Sequence, residues 1–355
     1  MFKKSSLDFL EKFLRTASPS GYEFEAAACM RDYLSDCCNV RCDVLGNTIA
    51  SLNESAPMRV VLDGHYDEIG FQIVYISDEG LIYFRANGGI DKLNIPSSEV
   101  DIITASGRVP GVIGKKPIHL LKESERSQAV ELFDMWIDIG ASSREEAEAL
   151  VSVGDPVAMR DNFRMLNEHR FISKGIDDKI GAFIVAETLR ELSARKINVA
   201  VYGVGAVQEE VGCRGAKVCT FGIDPQVGFA LDVGFATDLP DIPKKRYGDI
   251  KLGGGVALSR SCDNNTVLGE MVRKVANEKN IPWQESVAHR ATGGTDTAQI
   301  QMTRSGVATA LFSIPNRYMH SQVEMCDLRD VRSAIDLLTE TIASFKGDES
   351  FIPVR

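Results

Sequence analysis

Short apolar runs alternate with amphipathic helical patterns along most of this chain, and that alternation limits the folds that the chain can adopt. Four runs are rich in aliphatic residues and typical of strands buried on both faces: 59–63, 199–207, 227–231 and 308–314. Apolar residues recur at helical spacing in three segments between or after these runs: 179–193, 265–278 and 328–345. Strands that alternate with helices form a mainly parallel sheet covered by helices on both faces. The sequence therefore predicts an α/β fold with such a sheet at its centre.

A change in texture after the first of these strands predicts an inserted domain. Between Gly70 and about residue 160, short β-like runs are separated by glycines and prolines, and one helical stretch interrupts them at 143–150. The α/β pattern resumes after Gly175. We therefore expect three parts, namely the first part of the α/β domain at 1–69, a small β-rich domain at 70–160 and the second part of the α/β domain at 161–355.

The charge of the chain limits the partners it can have. The sequence contains 50 acidic and 40 basic residues, which gives a formal net charge of −10. A surface of this kind repels phosphate backbones and anionic lipids, so we expect neither nucleic acid nor a membrane surface as a partner. No apolar run approaches the roughly 18 residues of a membrane-spanning helix, and Asp8, Glu11 and Lys12 interrupt any hydrophobic segment of a secretory signal.

The eight cysteines predict free thiols in a reducing compartment. They form no Cys-x-x-Cys pair, and they are too few for a disulfide scaffold in a chain of 355 residues. Cys37, Cys38 and Cys42 are close enough in sequence to suggest a soft-metal site, although free thiols are the simpler interpretation. Because the chain also has no recognisable secretory signal, we expect a cytoplasmic protein.

Polar residues follow the predicted strands at the edge of the sheet where open α/β folds place their functional sites. The candidates are His65, Asp67, Asp177, Asp178, Glu209, Glu210, Asp232 and His320. A His-x-Asp motif alone is more often part of a core, and paired acids more often face solvent or begin helices. Positions in a core, on a solvent-facing surface or at a helix start explain less well why several such residues each follow an apolar run. Histidines and carboxylates from separate segments predict a site for hard or borderline metal ions.

The number of candidates matches a site for two divalent ions. Two ions can share one carboxylate and take one imidazole and one further carboxylate each. In the assignment that matches this count, the bridge is Asp177, one ion takes His65 and Asp232, and the other takes Glu210 and His320. Glu209 then remains free to accept a proton from a water activated by the ions. Asp67 could hold the second ring nitrogen of the imidazole two residues before it.

Taken in order along the chain, these residues resemble the motifs of the M42 metallo-aminopeptidases. The matching segments are His65-Tyr66-Asp67-Glu68-Ile69-Gly70, Asp177-Asp178, Gln208-Glu209-Glu210-Val211-Gly212, Asp232 and Tyr318-Met319-His320-Ser321. Supporting segments are Ser18-Pro19-Ser20-Gly21-Tyr22-Glu23, Leu45-Gly46-Asn47, Arg214-Gly215-Ala216 and Gly293-Gly294-Thr295-Asp296. The resemblance extends from about residue 5 to residue 345. One departure is Lys179, where the family usually has arginine, which weakens the expectation of a salt bridge there.

The resemblance implies a fold and an assembly. Proteins of this family have an α/β catalytic domain with an inserted β-barrel-like domain that mediates dimer contacts. Their dimers usually build a hollow dodecamer. Twelve copies of a 38.9 kDa chain would weigh about 467 kDa.

The resemblance also implies roles for single residues. It assigns two divalent ions, with zinc or cobalt expected, to the ligands His65, Asp177, Glu210, Asp232 and His320, of which Asp177 is the bridge. Glu209 would be the general base and Asp67 the supporting catalytic aspartate. Gly294, Thr295 and Asp296 could line the substrate pocket.

We therefore expect a dinuclear metal-dependent aminopeptidase that removes N-terminal residues from short peptides by attack of a metal-activated water. One alternative is a dinuclear deacylase or amidohydrolase acting on acylated amino acids or sugars, which would use the same residues and differ only in its substrates. A second alternative is a metal-bound assembly subunit without catalysis. Glu209 argues against this second alternative, because a purely structural metal site does not need a base that is not one of its ligands.

Overall fold

The computed structural model describes residues 2–125, 130–287 and 294–354. Its strands are β1 (Asn39–Cys42), β2 (Thr48–Leu52), β3 (Arg59–His65), β4 (Gly70–Ile76), β5 (Ile82–Asn87), β6 (Glu99–Thr104), β7 (Gly107–Lys115), β8 (Met135–Asp138), β9 (Pro156–Met159), β10 (Arg164–Met165), β11 (Arg170–Ser173), β12 (Ala200–Ala206), β13 (Val227–Phe235), β14 (Val256–Arg260), β15 (Trp283–Val287), β16 (Ala308–Asn316) and β17 (Glu324–Asp327). Its α-helices are α1 (Lys4–Leu14), α2 (Phe24–Leu34), α3 (Arg144–Glu148), α4 (Ile176–Ser193), α5 (Arg214–Ile223), α6 (Lys244–Tyr247), α7 (Thr266–Glu278), α8 (Thr297–Gln301) and α9 (Leu328–Ser344).

A large mixed sheet forms the centre of the α/β part. Among the described residues it has eight strands in the order β1-β2-β12-β3-β13-β16-β14-β15. The four central strands β12, β3, β13 and β16 are parallel, whereas β1–β2, β2–β12 and β14–β16 pair antiparallel. The predicted α/β class is therefore confirmed, with a parallel centre and antiparallel pairings toward the edges. The carboxyl ends of the parallel strands meet at one edge of the sheet, which is where a site is expected.

Helices cover both faces of this sheet. Helix α4 packs against β3, β12 and β13 on one face, with α1, α2 and α9 around it, and α5 and α8 lie on the other. Helix α4 lies so close to β3 that a Cβ atom at Gly64 would be only 2.5 Å from the carbonyl carbon of Gly181. The absence of a side chain at Gly64 thus lets the helix that carries Asp177 sit directly against the strand that carries His65.

The β-rich segment between β3 and β10 forms a closed barrel in the order β4-β5-β8-β7-β6-β9. It has its own core, which includes Phe71, Phe84, Ile102 and Ile137. This confirms the predicted barrel-like insertion. Strands β6 and β7 of the barrel form a hairpin with a tight turn at residues 105–106.

Two of the differences from the predicted strand boundaries involve candidate site residues. We expected β13 to end at Leu231, so that Asp232 would follow it, but the strand continues to Phe235 because its pairing with β16 continues to Asn316. Asp232 therefore lies within the strand, opposite Ser313. Strand β3 is also longer than predicted and includes His65. None of the helices in the described ranges is both long and apolar enough to cross a membrane.

Candidate metal centre and active site

Five side chains converge at the carboxyl edge of the sheet and form two overlapping groups. In the first group, His65 Nε2 lies 3.3 Å from Asp177 Oδ1 and 3.9 Å from Asp232 Oδ1. In the second, His320 Nε2 lies 3.2 Å from Asp177 Oδ2 and 3.6 Å from Glu210 Oε1. The candidate ligand atoms of each group all lie within 4.8 Å of one another. Asp177 belongs to both groups and directs one carboxylate oxygen toward each histidine.

Neighbouring parallel strands deliver most of these side chains. His65 is the last residue of β3, and Asp232 lies on β13, which pairs with β3. Glu210 lies in the turn after β12, and His320 lies in the turn after β16. Because these strands run parallel, their carboxyl-terminal parts lie at the same edge of the sheet, which brings these side chains together.

Asp177 reaches the site from a helix start instead of a strand. It lies at the beginning of α4, where its backbone is not helical (φ −72°, ψ 108°). The peptide bond between Asp177 and Asp178 is cis. The N–H group of Asp177 donates to Glu324 Oε2 at 2.9 Å. The Asp178 carboxylate belongs to neither group, and its Oδ1 atom accepts the N–H of Gly181 in the same helix at 3.0 Å.

The residues of both groups fit divalent metal ions. Imidazole nitrogen and carboxylate oxygen are the donors that zinc, cobalt and similar ions accept. Glu210 Oε1 is buried and has no hydrogen-bond partner among the described residues, although such oxygens are normally satisfied. A cation at this position would satisfy that oxygen and offset the charge of the clustered carboxylates.

The pKa values show how strongly these acids crowd one another. Burial and the charge of Asp177 raise the pKa values of Asp232 and Glu210 well above their ordinary range. The hydrogen bond to Asp177 raises the pKa of His320 to about 9. Burial alone would lower the pKa of His65, but hydrogen bonds to Asp177 and Asp67 raise it well above its ordinary value. Protons on these side chains therefore offset negative charge that a bound cation would otherwise offset.

Glu209 lies beside the two groups without belonging to either. Its Oε2 atom is 3.8 Å from His65 Nε2, and burial raises its pKa to about 7. The Cys213 thiol donates to Glu209 Oε1 at 3.2 Å. A carboxylate with such a pKa, next to a metal site and outside its ligand set, has the properties of a general base near neutral pH.

Asp67 organises the loops around His65. Its Oδ1 atom lies 3.3 Å from His65 Nδ1 and accepts the N–H of Glu209 at 2.9 Å. Its Oδ2 atom accepts the N–H of Glu210 at 3.2 Å and the hydroxyl of Ser20 at 2.6 Å. A carboxylate on the far nitrogen of a ligand histidine sets the orientation of the ring and the nitrogen that is free for a metal.

The three predicted substrate-pocket residues differ in exposure. Gly294 is exposed, with φ +75°, whereas Thr295 and Asp296 are buried. Asp296 lies close to Glu209 and Cys213, and neither of its carboxylate oxygens has a hydrogen-bond partner among the described residues. Gly293 of the same motif lies outside the described residues.

Several charged side chains near the site were not among the sequence candidates. Glu324 accepts backbone N–H groups from Asp177 and His320. Glu68 is buried between two lysines, with its Oε1 atom 2.6 Å from Lys174 Nζ. Its Oε2 atom lies 3.1 Å from Lys179 Nζ, so lysine also forms the salt bridge that the departure from the family pattern had put in doubt. Glu68 is part of a motif that the sequence analysis identified. Glu324 is part of none, and a single glutamate four residues after His320 does not predict the contacts that Glu324 makes.

The cysteines contribute little to this picture. All eight lie in the described ranges and are free thiols. Cys37 and Cys38 have their sulfur atoms 3.6 Å apart, and Cys42 is exposed.

The chain is similar to known proteins in sequence and in structure. Residues 46–337 match the family model described as M42 glutamyl aminopeptidase. The chain is 36% identical over 345 residues to the lysyl aminopeptidase of Pyrococcus furiosus, and the match covers 96% of this chain and 97% of that protein.

Solved structures of similar chains include TET aminopeptidases. One from the marine sediment archaeon Thaumarchaeota archaeon SCGC AB-539-E09 is 36% identical, with a TM-score of 0.92 and 96% of both chains covered. The TET1 peptidase of Pyrococcus horikoshii, described as able to assemble into a tetrahedron or a large octahedral shell, is 31% identical. Its TM-score is 0.86, and the match covers 96% of this chain and 100% of that one.

Proposed function

Because this chain belongs to the M42 family of peptidases and is a metal-dependent aminopeptidase, we propose that it removes N-terminal residues from short peptides with two divalent ions. The observation that carries the proposal is Asp177, whose two carboxylate oxygens face different histidines, His65 and His320. Its position suits a ligand shared by two ions. The deacylase and the non-catalytic assembly subunit are not favoured, since the similar proteins are aminopeptidases.

The proposed ligands follow the two groups of the site. One ion would be held by His65, Asp177 and Asp232, and the other by Asp177, Glu210 and His320. When bound, the ions would lower the pKa of a coordinated water and polarise the carbonyl of the scissile peptide bond. Zinc and cobalt are the proposed metals, because both accept mixed imidazole and carboxylate ligands.

The proposed base is Glu209. Its carboxylate takes the proton of the attacking water and delivers it to the amine that leaves when the C–N bond breaks, so that each proton is accounted for. Asp67 supports this step through its hold on His65 and on the backbone of Glu209. The buried acids around Glu209, including Asp296, would attract the α-ammonium group of the peptide, and Gly294 and Thr295 are proposed to lie along the same pocket.

The proposed assembly is a homododecamer of about 467 kDa, built from dimers that meet through the insertion at 70–160. A tetrahedron whose six edges are dimers contains twelve copies, and the TET1 peptidase of Pyrococcus horikoshii assembles into a tetrahedron or an octahedral shell. We keep the division into a catalytic domain at 1–69 and 161–355 and an inserted domain at 70–160 as part of this proposal. The free cysteines are consistent with the proposed cytoplasmic location.

The test is hydrolysis of a panel of aminoacyl-p-nitroanilides by chelator-stripped protein, with Zn²⁺ or Co²⁺ added back and N-acetylated substrates alongside. We expect metal-dependent release from the free-amine substrates only, and the panel identifies the preferred residue. Hydrolysis of only the acylated substrates would establish the deacylase instead. No release from either panel, with two ions bound per chain, would contradict the proposed chemistry.

Glu209→Gln and Glu210→Gln form a matched pair that separates base from ligand. We expect Glu209→Gln to lower kcat at least about 100-fold with both ions still bound, because the proton acceptor is lost and the ligand set is intact. We expect Glu210→Gln to lose one ion, as measured by bound metal per chain. Loss of metal in the Glu209→Gln variant would show that Glu209 is a ligand.

A further inference from the structure

We infer that Glu324 is a positioning residue, which holds the two ligands Asp177 and His320 at the spacing that the second metal ion needs. The inference rests on the proposed function, because it concerns the ion assigned to Asp177, Glu210 and His320. Glu324 is the first residue of β17, and only 2% of its surface is exposed. Its own position is set by pairing of β17 with β11, where Glu324 lies opposite Ser173.

The carboxylate of Glu324 connects two segments of the chain that are remote in sequence. Its Oε2 atom accepts the N–H of Asp177 at 2.9 Å, across 147 residues, and its Oε1 atom accepts the N–H of His320 at 2.9 Å. Regular secondary structure offers these two groups no partner. Asp177 has a non-helical backbone at the start of α4, and His320 lies in a turn with φ +59°. A buried N–H without an acceptor is costly, so the carboxylate stabilises both irregular backbones.

The second metal group needs such a connection more than the first. His65 and Asp232 lie on β3 and β13, and the hydrogen bonds of the sheet fix the distance between these strands. Asp177 and His320 lie on no paired strands, yet their side chains must meet within 3.2 Å. Because each N–H is attached to the Cα atom that carries the ligand side chain, one rigid carboxylate fixes both ligands relative to each other.

The chain offers a matched control for this contact. Asp330 on α9 is also fully buried and also accepts two backbone N–H groups, those of Gly253 at 2.8 Å and Gly255 at 2.7 Å. Those glycines carry no metal ligand. Glu324→Gln and Asp330→Asn therefore make the same chemical change, because each amide keeps one accepting oxygen and turns an NH₂ group toward the second N–H. Only the first change is made next to the ligands.

The experiment is a Co²⁺ titration of the full-length, chelator-stripped proteins, followed by visible absorption and by bound metal per chain after equilibrium dialysis. We expect the wild-type chain to bind two ions. In Glu324→Gln we expect the second ion to bind about 10–100-fold more weakly, with peptidase activity restored at raised Co²⁺. The first ion shares Asp177 but keeps His65 and Asp232 on paired strands, so we expect its affinity to fall clearly less. In Asp330→Asn we expect both ions to bind as in the wild-type chain, even where Tm falls.

Three outcomes would overturn the inference. Wild-type affinity for both ions in Glu324→Gln would show that Glu324 does not set the site. An equal loss for both ions, or the same loss in Asp330→Asn, would reduce the contact to general support of the fold. A wild-type chain that binds only one ion would overturn the proposed function and this inference with it. If Glu324→Gln does not fold, Glu324→Asp is titrated instead, with the same weakening of the second ion expected because its carboxylate is shorter by one methylene.

Discussion

At the level of single residues, carboxylates that bind no metal in our assignment accept hydrogen bonds from the backbone of the site. Asp67 accepts the N–H groups of Glu209 and Glu210, and Glu23 accepts that of Gln208 at 3.2 Å. The turn after β12 is thus held by side chains from two other segments, and no strand pairing is needed to place the base. Glu23 carries an energetic cost, because burial disfavours its charged form.

Glu23 makes that cost measurable as a dependence of stability on pH. Burial raises its pKa from 4.5 to about 7, so the folded chain binds this proton more tightly than the unfolded chain. The resulting stability is fully present below pH about 4.5 and is lost as the pH rises through about 7. Glu23→Gln has no such proton. We expect the free energy of unfolding of the wild-type chain, relative to the variant, to fall by about 3 kcal/mol over this range.

The measurement is urea unfolding at several pH values between 4.5 and 8, with the metal content of the two proteins matched. Glu270→Gln, a change of an exposed glutamate on α7, is the control and should give a nearly constant difference. A constant difference for Glu23→Gln as well would show that folding does not raise the pKa of Glu23.

At the level of elements, a buried ion cluster joins three segments around the site. The carboxylate of Glu68, just after β3, contacts Lys174 after β11 and Lys179 in α4. Both ammonium groups also donate to the carbonyl oxygen of Thr16 after α1. Burial would raise the pKa of Glu68, but the two lysines hold it below its ordinary value, while burial lowers the pKa of Lys179 to about 7. One carboxylate thus compensates two buried bases.

This arrangement predicts unequal effects of removing its members. Glu68→Gln leaves two buried ammonium groups without a counter-ion, so we expect the free energy of unfolding to fall by about 3–5 kcal/mol. Lys179→Met keeps the pair of Glu68 with Lys174 and should cost clearly less. Thermal and urea unfolding of both variants against the wild-type chain provide the comparison. A larger loss in Lys179→Met would show that Lys179 is the main counter-ion of Glu68.

At the level of the whole molecule, the barrel has its own core and also exposes several large apolar side chains. Among the described residues of the insertion, six such side chains are each more than half exposed: Leu93, Ile118, Leu120, Phe133, Leu150 and Val153. A surface that exposes several large apolar side chains together is typical of one that contacts another protein. They support the proposed role of the insertion in self-association, while all five proposed metal ligands come from a single chain.

Phe133→Glu tests the proposed assembly through this surface. Phe133 is 73% exposed in the insertion, and a charge there would oppose burial against a second copy. We expect light scattering to give a mass well below about 467 kDa for this variant and the full mass for the wild-type chain. Phe24→Glu, at a phenylalanine that is 75% exposed on α2, is the matched control and should leave the mass unchanged. Full assembly of Phe133→Glu would place the contacts elsewhere.

The sequence alone predicted the α/β class and a β-rich insertion, and the resemblance of its motifs to those of the M42 family implied that this insertion is barrel-like. These properties depend on local patterns. Apolar runs of strand length, helical periodicity and the glycines and prolines of the insertion each report how a short segment is buried. The candidate residues were found for the same reason, because a polar residue next to a buried apolar run needs a partner, whether His65 at the end of β3 or Glu210 after β12.

Only the tertiary structure decided how these residues meet. Asp177 stands between two histidines because α4 lies against β3 at Gly64, a contact between segments more than 100 residues apart. The contacts of Glu324 and Glu68 could not be predicted from the sequence, because the residues next to a glutamate in sequence do not show which remote segment its side chain meets. Periodicity tells which side of an element is buried. Which remote segment covers that side is decided by packing, and packing sets every distance in the site.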